Sequence, residues 1–144
     1  MPCKSILLVE DNPIDCEVVM KAIQKSLDDV EIVLCEQDNQ VFTYLSNCMN
    51  TKKQDEFQLP SLIMLDFHLS EVNGGTIIEK IKSNPILRLI PIVVISGSSY
   101  LEDVRTCYEL GISCYLPKSL DLNKFEQSIQ RVILLFLSDC ILPH

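Results

Sequence analysis

The stretch LIMLDFHLSEVNGG, Leu62 to Gly75, runs four apolar residues straight into an acid, Asp66, and then breaks into a polar turn that contains Gly74 and Gly75. A run that is apolar at every position, not only at alternate ones, is a strand covered on both faces. Four shorter or similar runs flank it in the chain: Ile6–Val9, Ile32–Leu34, Ile92–Ile95 and the weaker Cys114–Leu116. Between them the apolar residues fall at helical spacing, as Val18, Val19, Ala22 and Ile23, then Val41, Phe42 and Leu45, then Ile77, Ile78 and Ile81. Ser99 and Glu102 are spaced as a capping box opening a fourth helix, and Leu122, Phe125, Ile129 and Ile133 mark a fifth. Five repeats of strand then helix, with strands buried on both faces, predict a doubly wound α/β domain built on a five-stranded parallel sheet.

The 144 residues suit one domain spanning 1–144, and no linker, repeat or low-complexity tract divides them. Asn47–Leu59, rich in Asn, Lys, Gln, Asp and Glu, reads as a surface loop before the third strand. Twelve basic residues against twenty acidic ones, a net charge of −8, argue against direct nucleic-acid binding. MPCKSILLVED lacks the long apolar region of a signal peptide, so the expected location is the cytoplasm. Cys3, Cys16, Cys35, Cys48, Cys107, Cys114 and Cys140 show no C-x-x-C spacing and read as idle or buried thiols rather than zinc ligands.

In a parallel sheet the carboxyl ends of all strands share one edge, where ligands of open α/β sheets bind. Glu10 and Asp11 come directly after the first run, Asp66 after the third and Ser96 after the fourth. The fifth leads through Tyr115 to Lys118. Three carboxylates close together repel unless a cation neutralises them, and an oxygen-only set suits a hard divalent ion such as Mg2+. The lysine and the hydroxyl are what a phosphoryl group needs, and a carboxylate can accept one, so Asp66 is the expected acceptor.

Four motifs then carry a resemblance that covers nearly the whole chain. VEDN at Val9–Asn12, LDFHLSEVNGG with Gly74 eight residues after Asp66, PIVVISG at Pro91–Gly97 and GISCYLPKS at Gly111–Ser119 stand in the order found in CheY-like receiver domains of two-component response regulators. The resemblance implies a flavodoxin-like fold, with strand order 2-1-3-4-5 and helices on both faces of the sheet. It also implies that a histidine kinase phosphorylates Asp66. Glu10, Asp11, Asp66 and the His68 backbone carbonyl would arrange Mg2+, Ser96 and Lys118 would hold the phosphoryl oxygens, and Ser96 and Tyr115 would move together as a switch. The Glu-Asp pair, the long loop before the third strand, KSNPILRLIPIVVISGS and the lysine followed by serine are similar to single-domain regulators that partner bacterial phytochromes, which implies a light-sensing kinase upstream and a protein as the downstream target. Ser70 and Ser119 stand where prolines are usual, and Glu10 where an aspartate is usual; Glu10 is expected to reach the metal through a water.

Other functions fit less well. A phosphohydrolase of the haloacid-dehalogenase type carries a second aspartate two residues after the nucleophile, where this chain has His68, and a flavin carrier would not present the acids of EDNPID to a phosphate. A pseudo-receiver, acting as a docking module without phosphorylation, stays open. In the tail RVILLFLSDCILPH, Val132–Leu137 is apolar without interruption yet far too short to span a membrane. It predicts an extended apolar last helix over about 121–139, covered on its outer side by a second copy of the chain in a homodimer, or by the tail folding back on its own domain. His144 reads as a frayed end.

Overall fold

The structure, a computed structural model, describes residues 4–50, 52–53, 56–70 and 73–143. Five parallel strands form the central sheet: β1 (Lys4–Val9), β2 (Val30–Cys35), β5 (Leu62–Asp66), β6 (Ile92–Ser96) and β7 (Cys114–Pro117), in the order β2-β1-β5-β6-β7. Counted among themselves these strands run 2-1-3-4-5, as expected. The reversal of direction lies between β1 and β5, so the ends of those two strands, at Val9 and Leu65 in register, border the crevice where such sheets bind ligands.

The strand sequences divide the core by parity. Leu7, Val9, Ile63, Leu65, Ile92 and Val94 point to one side, where α2 (Asp38–Asn50), α3 (Gly74–Ser83) and α4 (Leu101–Glu109) supply Val41, Leu45, Ile77, Ile78, Ile81 and Cys107. Ile6, Leu8, Leu62, Met64, Val93 and Ile95 point to the other, against Val19, Ala22 and Ile23 of α1 (Pro13–Ser26) and Phe125, Ile129 and Ile133 of α5 (Leu122–Leu134). Every residue of β5 and β6 is buried, which is what their unbroken apolar runs required.

Two expectations are corrected. The polar segment before β5 is not an open loop: α2 runs on to Asn50, holding Cys48 buried, and Lys52–Lys53 (β3) pairs antiparallel with Glu56–Phe57 (β4). A two-residue hairpin rests on backbone hydrogen bonds and needs no apolar period, so its sequence carries no strand pattern. The Ser99–Glu102 capping box does not form either. α4 starts at Leu101 with Tyr100 at its cap and no side-chain cap bond, because Ser98 takes over the local polar contacts, accepting from the Tyr100 N–H and donating to Asp103.

At the C-terminus α5 passes into a π-helical turn, Leu135–Asp139, closed by the Cys140 N–H on the Leu135 carbonyl at 2.8 Å. The wider turn brings Leu137 back into the core beside the sheet, and the Lys4 ammonium donates to its carbonyl. Leu137 of the apolar run is thus covered by its own domain, while Leu134 and Leu135 stay exposed. Among the described cysteines, Cys16, Cys35, Cys48 and Cys107 are buried, Cys114 is half-buried and Cys140 is exposed; all are free thiols. Cys3 and His144 lie outside the described residues.

Candidate functional site

β1 delivers Glu10 and Asp11 to the sheet edge, and Asn12 then stops the strand by capping α1: its Oδ1 accepts from the N–H groups of Ile14 and Asp15, with Pro13 at the first helical position. β5 delivers Asp66 at its last residue. Carboxylate oxygens of Glu10, Asp11 and Asp66 all lie within 4.8 Å of one another. Glu10 thus stands in the acid cluster despite its extra methylene. Hard, anionic oxygens in this number, two of the carboxyls buried, fit a divalent cation of the Mg2+ or Mn2+ kind and not a thiol-seeking one.

Lys118, one residue past β7, compensates the acids. Its Nζ donates to Asp15 Oδ2 at 2.7 Å, Glu10 Oε1 at 3.0 Å and Asp66 Oδ2 at 3.1 Å, so each ammonium proton has a carboxylate. Its main chain is pinned as well, the N–H donating to the Ser96 carbonyl at 2.7 Å. The Lys118–Ser119 bond is trans, like every peptide bond among the described residues. Burial alone would lower the lysine's pKa, but the bond to Asp15 and the charges of Glu10 and Asp66 outweigh it, and the ammonium is held above its usual range. Glu10 goes the other way for an acid: burial, then the hydrogen bond and the charge of Asp66, push it up to about 8 against the pull of Lys118. A rim that holds a proton on one of its acids has room for more positive charge.

Asp66 has both oxygens engaged, Oδ1 by the His68 N–H at 3.1 Å and Oδ2 by Lys118. The loop after it turns tightly, with the Gly74 N–H on the Phe67 carbonyl at 3.0 Å. A Cβ at residue 74 would sit 2.8 Å from that same carbonyl oxygen, so only glycine fits. Ser70 in this loop donates its N–H to Asp11 Oδ2 at 2.7 Å, and the contact with Ser70 lowers the Asp11 pKa. A proline at residue 70 has no N–H to give. The departure from the usual pattern therefore adds a fastening for one acid.

Ser96 is fully buried at the end of β6, and its Oγ accepts from the Ser98 N–H at 3.1 Å. Tyr115 on β7 is half-buried, its hydroxyl donating to the Ser98 carbonyl at 2.8 Å and its N–H to the Tyr108 hydroxyl at 3.2 Å. Ser98 Oγ donates to Asp103 Oδ2 at 2.6 Å, and His68 Nε2 lies 3.5 Å from that same oxygen. The His68 ring also meets Phe67 edge-on, with centroids 5.1 Å apart. Beside these groups opens a cleft of about 480 Å³ between the loop after β5 and α4, lined by His68, Ser70, Asn73, Asp103 and Thr106 among others. The structure thus bonds Lys118 directly to Glu10 and Asp66, brings Asp11 within 4.8 Å of those two acids, and sets Ser96 and Tyr115 on the adjoining strands β6 and β7. Asp15, Ser70, Ser98 and Asp103 were not read from the sequence. Of these, Ser70 stood out only as a missing proline and Asp15 only among the acids of EDNPID.

Residues 6–130 match the sequence profile of the response regulator receiver domain. The chain belongs to that family. It is 33% identical over 145 residues to response regulator Rcp1 of Synechocystis sp. strain PCC 6803, an alignment spanning 99% of this chain and 95% of Rcp1. Among solved structures it is similar to the phosphorylated cyanobacterial phytochrome response regulator RcpA, at 31% identity and TM-score 0.85, with 98% of this chain and 99% of that one covered. It is also similar to the Mn2+-bound form of Rcp1, at 32% identity and TM-score 0.84 over the same shares. This receiver is thus a CheY-like module of two-component signalling, and among its described residues no helix is long and apolar enough to cross a membrane.

Proposed function

We propose that this receiver accepts a phosphoryl group on Asp66 from a histidine kinase, and that Glu10, Asp11, Asp66 and the His68 backbone carbonyl hold Mg2+ for the transfer. The observation that carries the proposal is the engagement of Asp66: a carboxylate at a strand end, flanked by two further acids and bonded to Lys118 and a backbone N–H. Mg2+, when bound, supplies charge neutralisation for the acids and the incoming phosphoryl oxygens. An Asp66 oxygen is the nucleophile in line with the leaving group. Lys118 turns one of its N–H bonds to a phosphoryl oxygen, and the Ser96 hydroxyl, which now only accepts from Ser98, donates its proton to another. The Ser98 N–H then loses its acceptor, and the Ser98 carbonyl is the group that holds Tyr115. Ser96 and Tyr115 moving together is the switch this wiring supports.

The signal passes to a downstream protein through the changed surface. Similarity to RcpA and Rcp1 supports a phytochrome-type light sensor as the upstream kinase, working in the cytoplasm. Leu122 exposed at the start of the last helix and Leu134 and Leu135 exposed at its end support a homodimer through it. A phosphate-affinity gel after acetyl phosphate and Mg2+ tests the acceptor: a shifted band is expected for wild type and lost with EDTA or in Asp66→Asn and Asp66→Ala. Folded protein giving no band in any condition would replace this reading with that of a pseudo-receiver that docks without phosphorylation. Sedimentation at tens of micromolar tests the dimer, which a monomer in both phosphorylation states would exclude.

A further inference from the structure

We propose that Asp15 is a positioning residue for Lys118, holding the ammonium in the site when the other two carboxylates it touches are given over to a metal ion. The inference rests on the phosphoacceptor reading above and names a residue that reading does not use. Of the three acids bonded to Nζ, Glu10 and Asp66 belong to the cluster able to ligate a cation, whereas Asp15 does not. Its contact is also the shortest, 2.7 Å against 3.0 and 3.1 Å, and alone of the three falls in the range of strong ion-assisted hydrogen bonds.

A divalent cation between Glu10, Asp11 and Asp66 changes the surroundings of the lysine. It draws the negative charge of two of Nζ's partners toward itself and repels the ammonium across a few ångströms of partly dry space. Glu10 is 3% exposed at its side chain, Asp66 6% and Lys118 19%, so solvent screens this repulsion poorly. Without a third anion the ammonium would swing out along its flexible stem. Asp15 supplies that anion from a separate support: it rides on the first turn of α1, fixed by Pro13 and by the Asn12 cap that takes its own backbone N–H at 3.1 Å. That support uses none of the three cluster carboxylates. Asp15 therefore keeps Nζ within reach of the phosphoryl position without occupying it.

The test uses the full chain and two readouts. The first is the 15Nζ resonance of Lys118 with Mg2+ present and no phosphodonor, which is visible only while hydrogen bonds slow the exchange of the ammonium protons. Wild type is expected to show it, Asp15→Asn to lose it, and Asp15→Glu to restore it. The second is the rate of phosphorylation by acetyl phosphate at saturating Mg2+, expected to fall about tenfold in Asp15→Asn, the worth of one charge-assisted hydrogen bond, and to recover in Asp15→Glu. A merely structural role, such as the favourable charge Asp15 gives the start of α1, would shift the unfolding midpoint and leave both readouts in place. A persisting Nζ signal in Asp15→Asn, or an unchanged phosphorylation rate, overturns the proposal. Wild-type protein that is never phosphorylated overturns the phosphoacceptor reading instead, and the Nζ signal then still decides whether Asp15 anchors the lysine.

Discussion

The rim of this receiver is built in two halves by opposite means. At the ends of β1 and β5, the buried carboxyls of Glu10 and Asp66 share the half-buried Lys118 ammonium, and each group would be costly to leave without its partners. At the ends of β6 and β7, Tyr115, Ser98 and Tyr108 are joined by single bonds between neutral groups at half-exposed positions. Removing a partner from the first half strands a charge, while removing one from the second exchanges a bond for water. The first half is therefore rigid until a cation or a phosphoryl group changes its charge, and the second can rearrange at small cost. The switch proposed above, in which charge changes on one side and an aromatic moves on the other, depends on that inequality.

The largest break in the comparison is Lys118→Met. It takes the ammonium away from the buried Asp66 carboxylate and from Glu10 beside it, and metal-free stability is expected to fall by about 3 kcal/mol in urea titration, with part of the loss recovered on adding Mg2+. Next is the pH dependence of the metal-free protein. The folded chain holds the Glu10 proton up to about pH 8, whereas an unfolded carboxyl releases it near 4.5, so the stability this group contributes is full below about 4.5 and is lost as pH rises through about 8. Glu10→Gln should flatten that decline, and Mg2+, which favours the ionised acid, should flatten it too. Gly74→Ala comes third: the new Cβ meets the Phe67 carbonyl and must push the loop after Asp66 aside, for about 1–3 kcal/mol by thermal or chemical unfolding and a weakened Mg2+ affinity. Smallest is Tyr115→Phe. It removes the bond to the Ser98 carbonyl, with an expected loss of about 1 kcal/mol and no change in Mg2+ binding. A Tyr115→Phe loss as large as that of Lys118→Met would erase the distinction between the halves.

The sequence disclosed the charged half far better than the neutral one, for a physical reason. Acids and a lysine at the ends of apolar runs stand out because nothing local requires them there, and parallel topology sends all such ends to one edge. Thus Glu10, Asp11, Asp66 and Lys118 were legible from the sequence, together with the sheet that unites them. The bonds of Ser98, Asp103 and Tyr115 depend on how a short loop folds against α4, which no periodicity encodes, so Ser99 looked the better cap when Ser98 makes the contacts. Ser70 stood out only as a missing proline; its value lies in a backbone N–H that any residue but proline carries. Asp15 was hidden by belonging to a helix whose apolar spacing drew attention to the opposite face.

Borohydride reduction after treatment with acetyl phosphate and Mg2+, followed by peptide sequencing by mass spectrometry, tests the central claim most directly, because it converts an aspartyl phosphate to homoserine in place. Homoserine at residue 66, absent when EDTA replaces Mg2+, is the predicted result. Homoserine at another acid, or none in folded protein beside a working receiver, would contradict the account.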